Sequence, residues 1–343
     1  VWFNADGVCN FCIKNEEYNK YTEDDLEKIL TKVRKQKGRY QVLVGISGGF
    51  DSSLLLDYCI NVWKLRVLAV HFDNNFNTPE ADHNIRQMIK CTGVDAIVYH
   101  VNHKEYKKAC HAFLMLGLRD ADILNDMVMA EKIRQTSLTY NIKYRFDGHS
   151  YRTESSCPRE WTYMDARYIN SVFKTVYGRD IQLDLPTLWK QIYSAFRGEK
   201  HIDPFDYITV DYAAERERLI KTYDWQPYGE KHQENKYTDF VGYYYLPKFF
   251  GIDKRILYLS AMVRNGLCTK EEALGKLLEN PIRPDSLEMI KNEFGFELPQ
   301  HAGLTYRNFD NYLSLFRKFR WLLWIFYKLK LIRRGFYEKY TVA

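Results

Sequence analysis

Cysteine, long apolar runs and a strong charge bias are all scarce in this chain. Seven cysteines in 343 residues are too few for the bridges that hold small secreted folds together, so a disulfide scaffold is excluded. Cys59, Cys91, Cys110 and Cys268 fall in helix-like or mixed segments and are expected to be small buried residues. The apolar run Trp321–Tyr327 is far too short to cross a bilayer, which takes about 20 residues. Asn4 and Asp6 already interrupt the opening segment, so no signal peptide is legible and a reducing, cytoplasmic setting is the expectation. The formal charge of +6 is a mild bias. It suits anionic small molecules such as nucleotides or nucleotide sugars and does not by itself imply nucleic acid.

Two common phosphate-binding patterns are also missing. No Gly-rich loop closes with Lys-Ser/Thr, and no dinucleotide GxGxxG fits. In their place stands Val42–Leu56, VLVGISGGFDSSLLL. Val42–Ile46 reads as a buried strand, Ser47-Gly48-Gly49 breaks it, and a helical apolar series resumes from Ser52. Adjacent glycines let the backbone turn tightly and approach a ligand. The free N–H groups of such a turn at a helix N-terminus suit an anion. Ser47, Ser52 and Ser53 add hydroxyls. Asp51 is a carboxylate beside a phosphate nest, which suggests a magnesium ion between them.

The strand-then-helix pattern repeats. Arg66–Phe72 reads as a second strand running into Asp73-Asn74-Asn75, Ala96–Val101 as a third, and Lys143–Phe146 as a fourth ending at Asp147-Gly148-His149. Pro79–Thr92, Lys107–Leu118 and Ile123–Leu138 carry helical periodicity, as does the aromatic stretch Trp161–Val176. These units predict an α/β fold, a mostly parallel open sheet with helices on both faces, followed by a mainly helical C-terminal region. Ligands of open α/β sheets gather at the carboxyl ends of strands, which singles out Asp73, Asn74 and Gly148 for nucleotide contacts. Glu154, in the polar stretch Ser150–Cys157, stands where a second magnesium ligand or a substrate contact fits, although a solvated loop explains it nearly as well. Pro186 and Pro204 then interrupt the chain, and Asp206–Asp211 is expected to hold a short strand.

Five further stretches carry expectations of their own. Cys9 and Cys12 form a CxxC in an N-terminal hairpin, either half of a four-cysteine zinc site, a redox pair, or two partly buried thiols. No second CxxC follows. Tyr21–Lys37 reads as a lead-in helix with Thr22 as N-cap and Asp25 completing a variant capping box. Trp225–Phe240 holds Lys231 and His232 among several acids without hydrophobic periodicity, a composition that favours a site or a charged surface. Lys254 and Arg255 open a helix over Ile256–Asn265, where the dipole disfavours cations and a bound anion would offset the cost. Tyr312–Arg334 carries Arg317, Lys318, Arg320, Lys328, Lys330, Arg333 and Arg334 with no acid, and its apolar residues approximate one helical face. Such a helix lies on an anionic membrane, docks on a partner or packs on its own domain. The expected divisions are 1–38 for the cysteine hairpin and lead-in, 39–185 for the nucleotide domain, 186–300 for the substrate region and 301–343 for the basic tail.

The SGGxDSS loop resembles the pyrophosphate-binding loop of the N-type ATP pyrophosphatases, the PP-loop enzymes of adenine nucleotide alpha hydrolase-like fold. FNADGVCNFC, ISGGFDSS, VHFDNNFNTPEADHNI, WTYMDARYI and the long run from Tyr228 to Leu274 narrow the match. Together they resemble the N-acetyl sugar amidotransferase family of bacterial surface-polysaccharide biosynthesis, over most of the chain up to about Ala273. The resemblance implies ATP as co-substrate, with Ser47, Gly48, Gly49, Ser52 and Ser53 on its pyrophosphate and Asp51 on magnesium. Lys231, Lys254 and Arg255 would stabilise charge at the α-phosphate, and His232 would take a proton from attacking ammonia. The implied reaction turns the acetamido group of a nucleotide-linked N-acetyl sugar into an acetamidino group, releasing AMP and pyrophosphate. Ammonia would come from a separate glutaminase through a barrel-type subunit like the pair that makes imidazole glycerol phosphate synthase. No glutaminase arrangement is legible, which fits a synthetase subunit. The family usually carries a CxxC pair just before the FNADG-like segment; this sequence lacks it, a departure that suggests truncation and leaves structural zinc to rest on Cys9 and Cys12, with the second pair missing. A tRNA-modifying PP-loop enzyme would use the same loop but wants a continuous basic track, and here the extra basic residues are confined largely to the tail, against nucleic acid as a partner. A non-catalytic partner or membrane-adaptor subunit would be expected to lose the Ser47–Ser53 pattern, which is intact.

Overall fold

In the computed structural model, residues 1–158, 160–295, 303–329, 331–332 and 334–341 are described. Strands β1 (Val42–Gly45), β2 (Val67–Asp73), β3 (Asp95–His100), β4 (Tyr144–Phe146) and β5 (Lys200–Ile202) form one sheet in the order β3-β2-β1-β4-β5. Every pairing is parallel, with Val44 opposite Ala69 on one side and Phe146 on the other. Alternation along the strands sorts the side chains. Val42, Val44, Val67 and Ala69 pack in one cluster with Leu26, Leu30, Leu54, Met88 and Leu219. Leu43, Leu68 and Val70 pack on the opposite face with Ile133 and Ile142. Both faces are therefore covered by helices, as a parallel sheet requires.

Strand order reverses at β1, whose neighbours are β2 on one side and β4 on the other. A crevice opens outside the carboxyl ends of strands at such a switch point, and that is where open α/β sheets bind ligands. The SGGFDSS loop follows β1 and Asp147-Gly148-His149 follows β4, so both border this crevice.

Several expectations are corrected. The fifth strand, Lys-His-Ile, is too short and too polar to betray itself by alternation, and it exists only because β4 offers an edge. The strand expected at Asp206–Asp211 is instead a 3-10 turn, Pro204–Asp206, followed by helix Tyr212–Tyr223, whose N-cap Asp211 accepts from the N–H groups of Ala213 and Ala214. Because β5 and Leu219 belong to the sheet and its core, that unit continues past residue 185. The helix expected over Lys107–Leu118 starts and ends earlier, since Asn102 caps His103–Met115. Asp165 delays the aromatic helix to Ala166–Tyr177. The N-terminal segment turns back on itself through a single antiparallel bridge, Phe3 to Cys9, and Cys9 then caps helix Asn10–Tyr18. Cys91 is exposed and Cys268 half-buried, while Cys59 and Cys110 are buried.

The C-terminal region is helical and shares a core with the sheet domain. Tyr168, Phe173, Tyr237, Phe240, Phe316 and Tyr340 belong to one cluster with Phe72 and Tyr106. The tail is not one continuous helix: Leu313–Lys318 and Arg320–Lys328 meet at Phe319, and Arg334–Thr341 follows. Lys330 and Arg333 lie outside the described residues. No helix among the described residues is long and apolar enough to cross a membrane.

Candidate active site

The loop after β1 leads into helix Phe50–Asp57. Gly48 has φ of +78°, and a Cβ there would lie 2.3 Å from the Ala81 carbonyl oxygen, so both backbone conformation and space require glycine. The loop is braced from within. Ser47 N–H donates to Ser52 Oγ at 3.2 Å, Gly49 N–H to Ser47 Oγ at 3.3 Å, and Phe50 N–H to the Tyr228 hydroxyl at 3.1 Å. Among the described residues, the N–H groups of Gly48, Asp51 and Ser52 have no partner. Three open donors at a helix N-terminus, beside the Ser47 and Ser52 hydroxyls, form a cradle for an anion.

The rest of the site comes from far along the chain. The Lys231 ammonium stands between two carboxylates, 3.0 Å from Asp51 Oδ2 and 3.1 Å from Glu154 Oε1. His232 Nε2 is 3.7 Å from the other Glu154 oxygen. Glu154 ends a single helical turn, Tyr151–Glu154, capped by Ser150. Lys231 is held by its backbone, whose carbonyl accepts from the Tyr243 hydroxyl at 2.6 Å. Just beyond, Thr78 N–H donates to Glu234 O at 3.0 Å and Lys236 N–H to Phe76 O at 2.7 Å, stitching this loop to the segment after β2.

Charge is dense in the crevice. Burial favours the neutral acid of Glu154, but Lys231, His149 and His232 outweigh it and hold the carboxyl at about 2. Burial opposes the Lys231 charge as well, while Asp51 and Glu154 raise its pKa well above the usual lysine range. Desolvation works against the His149 cation, and Glu154 and Asp147 overcome it to raise its pKa. Asp126 is pushed up to about 7 by desolvation and then by Asp122, with Lys254 opposing. Lys254 Nζ lies 3.9 Å from Asp122. Asp126 thus feels charge from Asp122, Lys254, Asp147 and Glu154, and His149 from Glu154 and Asp147.

The donor set fits a magnesium ion at Asp51 and Glu154. Two hard oxygen ligands converge on a point where a cation, the Lys231 ammonium, already stands. For zinc, the described residues supply half a site. Cys9 and Cys12 Sγ atoms are 3.3 Å apart, and Cys9 Sγ also accepts the Cys12 N–H. Two thiols are half of a structural tetrahedron, and among the described residues no third ligand joins them. Asp147, His201 and Asp203 do bring ligand atoms within 4.8 Å of one another. Arg145 Nη2 faces His201 Nδ1 at 3.2 Å, and His201 Nε2 lies 3.0 Å from Asp203 Oδ1, both of these last atoms buried and without a hydrogen bond.

Some expected site residues serve elsewhere. Ser53 is buried, and its hydroxyl accepts the Trp225 indole N–H at 3.2 Å, so it faces the core and not the cradle. Asn74 is buried too, bonded to Asn125 at 2.9 Å and Asn235 at 2.9 Å, so its amide offers nothing to a nucleotide. Asp73 accepts from Asn75 N–H at 2.8 Å and pairs with His100 at 2.9 Å. Gly148 acts by absence: a Cβ would lie 2.8 Å from the Asp51 carbonyl oxygen, so it lets β4 approach the loop. Arg255 pairs with Asp253 at 2.8 Å and donates to the carbonyls of Lys276, Leu277 and Glu279. It caps helix Lys270–Leu278, and Asp253, not a ligand anion, offsets its unfavourable place at a helix start. Sequence reasoning passed over His149, Asp126 and Tyr228. His149 was findable, since it follows β4 directly; the other two depend on tertiary neighbours.

Two family models match. LPS biosynthesis protein WbpG-like, C-terminal domain, covers residues 234–328, and NAD synthase covers residues 22–145, which include the loop, β1 to β3 and the start of β4. An uncharacterized protein of Methanocaldococcus jannaschii, MJ1599, is 27% identical over 156 residues, 45% of this chain and 55% of its own length. The chain thus matches only about half the length of that curated relative. Among solved structures, the U34-tRNA thiolase NcsA from Methanococcus maripaludis with its [4Fe-4S] cluster is 16% identical, with a TM-score of 0.32 over 81% of this chain and 90% of its own. The NH3-dependent NAD synthetase from Campylobacter jejuni is also 16% identical, with a TM-score of 0.32 over 81% of this chain and 93% of its own. One match spans the strand–loop–helix cradle and the other begins at Glu234, in the loop that closes over it; the chain is thus similar to NAD synthase over its first part and to the WbpG-like lipopolysaccharide-biosynthesis C-terminal domain over residues 234–328.

Proposed function

We propose that this chain is the synthetase subunit of an AMP-forming amidotransferase, which converts the acetamido group of a nucleotide-linked N-acetyl sugar into an acetamidino group. The acetamido oxygen attacks the α-phosphorus of ATP, the bond to the β-phosphate breaks and pyrophosphate leaves. Ammonia then adds to the imidate carbon, and AMP departs with the former amide oxygen. The free N–H groups of Gly48, Asp51 and Ser52, with the Ser47 and Ser52 hydroxyls, hold the departing pyrophosphate. Lys231 and Lys254 stabilise charge that builds at the α-phosphate. His232, beside Glu154, accepts a proton from the attacking ammonia. Asp51 and Glu154 would hold a magnesium ion, which when bound would supply charge neutralisation at the phosphates. Ammonia is supplied by a separate glutaminase through a barrel-type subunit.

The observation that carries this reading is the convergence of Asp51, Glu154 and Lys231 beside a cradle of free N–H groups, in a chain whose residues 234–328 match the WbpG-like C-terminal domain. The test is AMP and pyrophosphate release from ATP with ammonium and a panel of nucleotide-linked N-acetyl sugars. AMP formation is expected to require both sugar and ammonium, and Asp51→Asn to lower it by ~10²-fold or more, the loss typical of removing one transition-state-stabilising group. AMP release that persists in Asp51→Asn, or that responds to no sugar in the panel, would overturn the mechanism or the acceptor respectively.

A further inference from the structure

We propose that the outer face of the C-terminal helices docks on an anionic lipid bilayer. From Asn311 to Tyr337 the sequence contains neither Asp nor Glu. Arg317, Lys318, Arg320 and Lys328 are exposed there, and none has a carboxylate partner among the described residues. Large apolar side chains share that surface: Trp321 is 61% exposed and Leu329 63%, with Leu315, Phe319, Trp324 and Ile325 also exposed. Trp321, Trp324 and Ile325 line an open groove of about 550 Å³ with Arg320 and Tyr337. The inner side of the same segment is already satisfied. Phe316 and Leu323 are buried, and the Tyr340 hydroxyl donates to Asp165 at 2.7 Å. The outer aromatics are therefore not core residues seeking a core.

Helix Leu188–Phe196 extends the feature. Leu188 and Gln191 share a small cavity with Tyr312, Phe336 and Tyr340 of the tail. The helix exposes Trp189, Tyr193 and Phe196, spaced to fall on one stripe. A water-facing surface rarely carries this much contiguous apolar area. A nucleic acid would use the cations but has no use for Leu315, Ile325 and Leu329. An anionic bilayer accepts both, with its phosphates meeting Lys and Arg and its interfacial zone receiving Trp and aliphatic side chains. The helices are too short to span, so the contact is peripheral.

The test is co-sedimentation of the whole chain with vesicles of phosphatidylcholine alone or mixed with phosphatidylglycerol. Binding to the anionic vesicles is expected to exceed that to the neutral ones by ~10-fold or more, and to weaken as salt rises. W321A/W324A, which leaves the charge unchanged, should lose ~10-fold in affinity, with circular dichroism confirming the fold. In the unmodified chain, brominated lipid should quench tryptophan fluorescence, a readout that needs no variant. No preference for anionic vesicles overturns the proposal. So does self-association, or a stable complex with a partner protein, that depends on Trp321 and Trp324 while vesicles go unbound.

Discussion

Lys231 is the residue on which the site's charge balance turns. Its ammonium separates two carboxylates that would otherwise face each other across a desolvated space. At an effective dielectric of about 20, charges some 4 Å apart interact by about 4 kcal/mol, so whatever occupies that point is strongly held. Lysine and a divalent cation therefore compete for the same two acids. Lys231→Met removes the charge and keeps much of the stem. Mn²⁺ binding without nucleotide, followed by electron paramagnetic resonance, is expected to tighten by about tenfold or more, while AMP formation falls. Unchanged or weaker Mn²⁺ binding would show that the lysine is not standing in for a metal. The same residue scale explains the misplaced expectations. Ser53, Asn74 and Arg255 have side chains capable of holding a nucleotide, but Trp225, Asn235 and the carbonyls at the end of helix Lys270–Leu278 reach them first.

At the scale of elements, the site is a junction of two strand ends. β1 delivers the loop and β4 delivers Glu154, and the two come together because Gly148 presents only hydrogen to the Asp51 carbonyl oxygen. Gly148→Ala would press a methyl group against backbone that cannot yield without moving the cradle. The expected result is an overpacking loss of about 1–3 kcal/mol in thermal stability, with the KM for ATP raised by ~10-fold as the free N–H groups lose alignment. An unchanged KM would mean that the loop adjusts without consequence. Local signals explain which elements were legible. Helix Pro79–Thr92 has the bounds expected of it because Thr78 caps its start and Gly93, at φ of +65°, ends it. β5 lacked any such signal, since three residues on an edge carry no period to read.

Over the whole molecule, Asp206 couples the sheet to the site and makes stability depend on pH. It is 2% exposed and accepts from Ser150 Oγ at 2.9 Å and Tyr151 N–H at 2.7 Å, the start of the turn that carries Glu154. Burial outweighs these bonds and pushes its carboxyl up to about 6, from 3.8 in the unfolded chain. A folded value above the unfolded one means the folded state holds this proton more tightly. Stability from this group is thus lost as pH rises through that window and stays lost above it. Asp206→Asn keeps an acceptor for both bonds and removes the penalty. Its melting temperature should exceed that of the natural chain at about pH 8 and nearly coincide with it at about pH 4, the difference amounting to at most about 3 kcal/mol. A gain that is equal at both pH values would exclude titration of Asp206 as the cause.

What the sequence by itself determined is whatever rests on neighbours in the chain: the apolar strands, the caps, and a Gly-Gly turn between strand and helix that opens N–H groups to an anion. Those features suffice for a parallel α/β sheet and a phosphate cradle. Only the tertiary structure decided which polar side chains face that cradle. Asp51, Glu154 and Lys231 are far apart in sequence and meet because strand order reverses at β1. Their protonation follows from that meeting, since desolvation and opposite charge act through space and not along the chain.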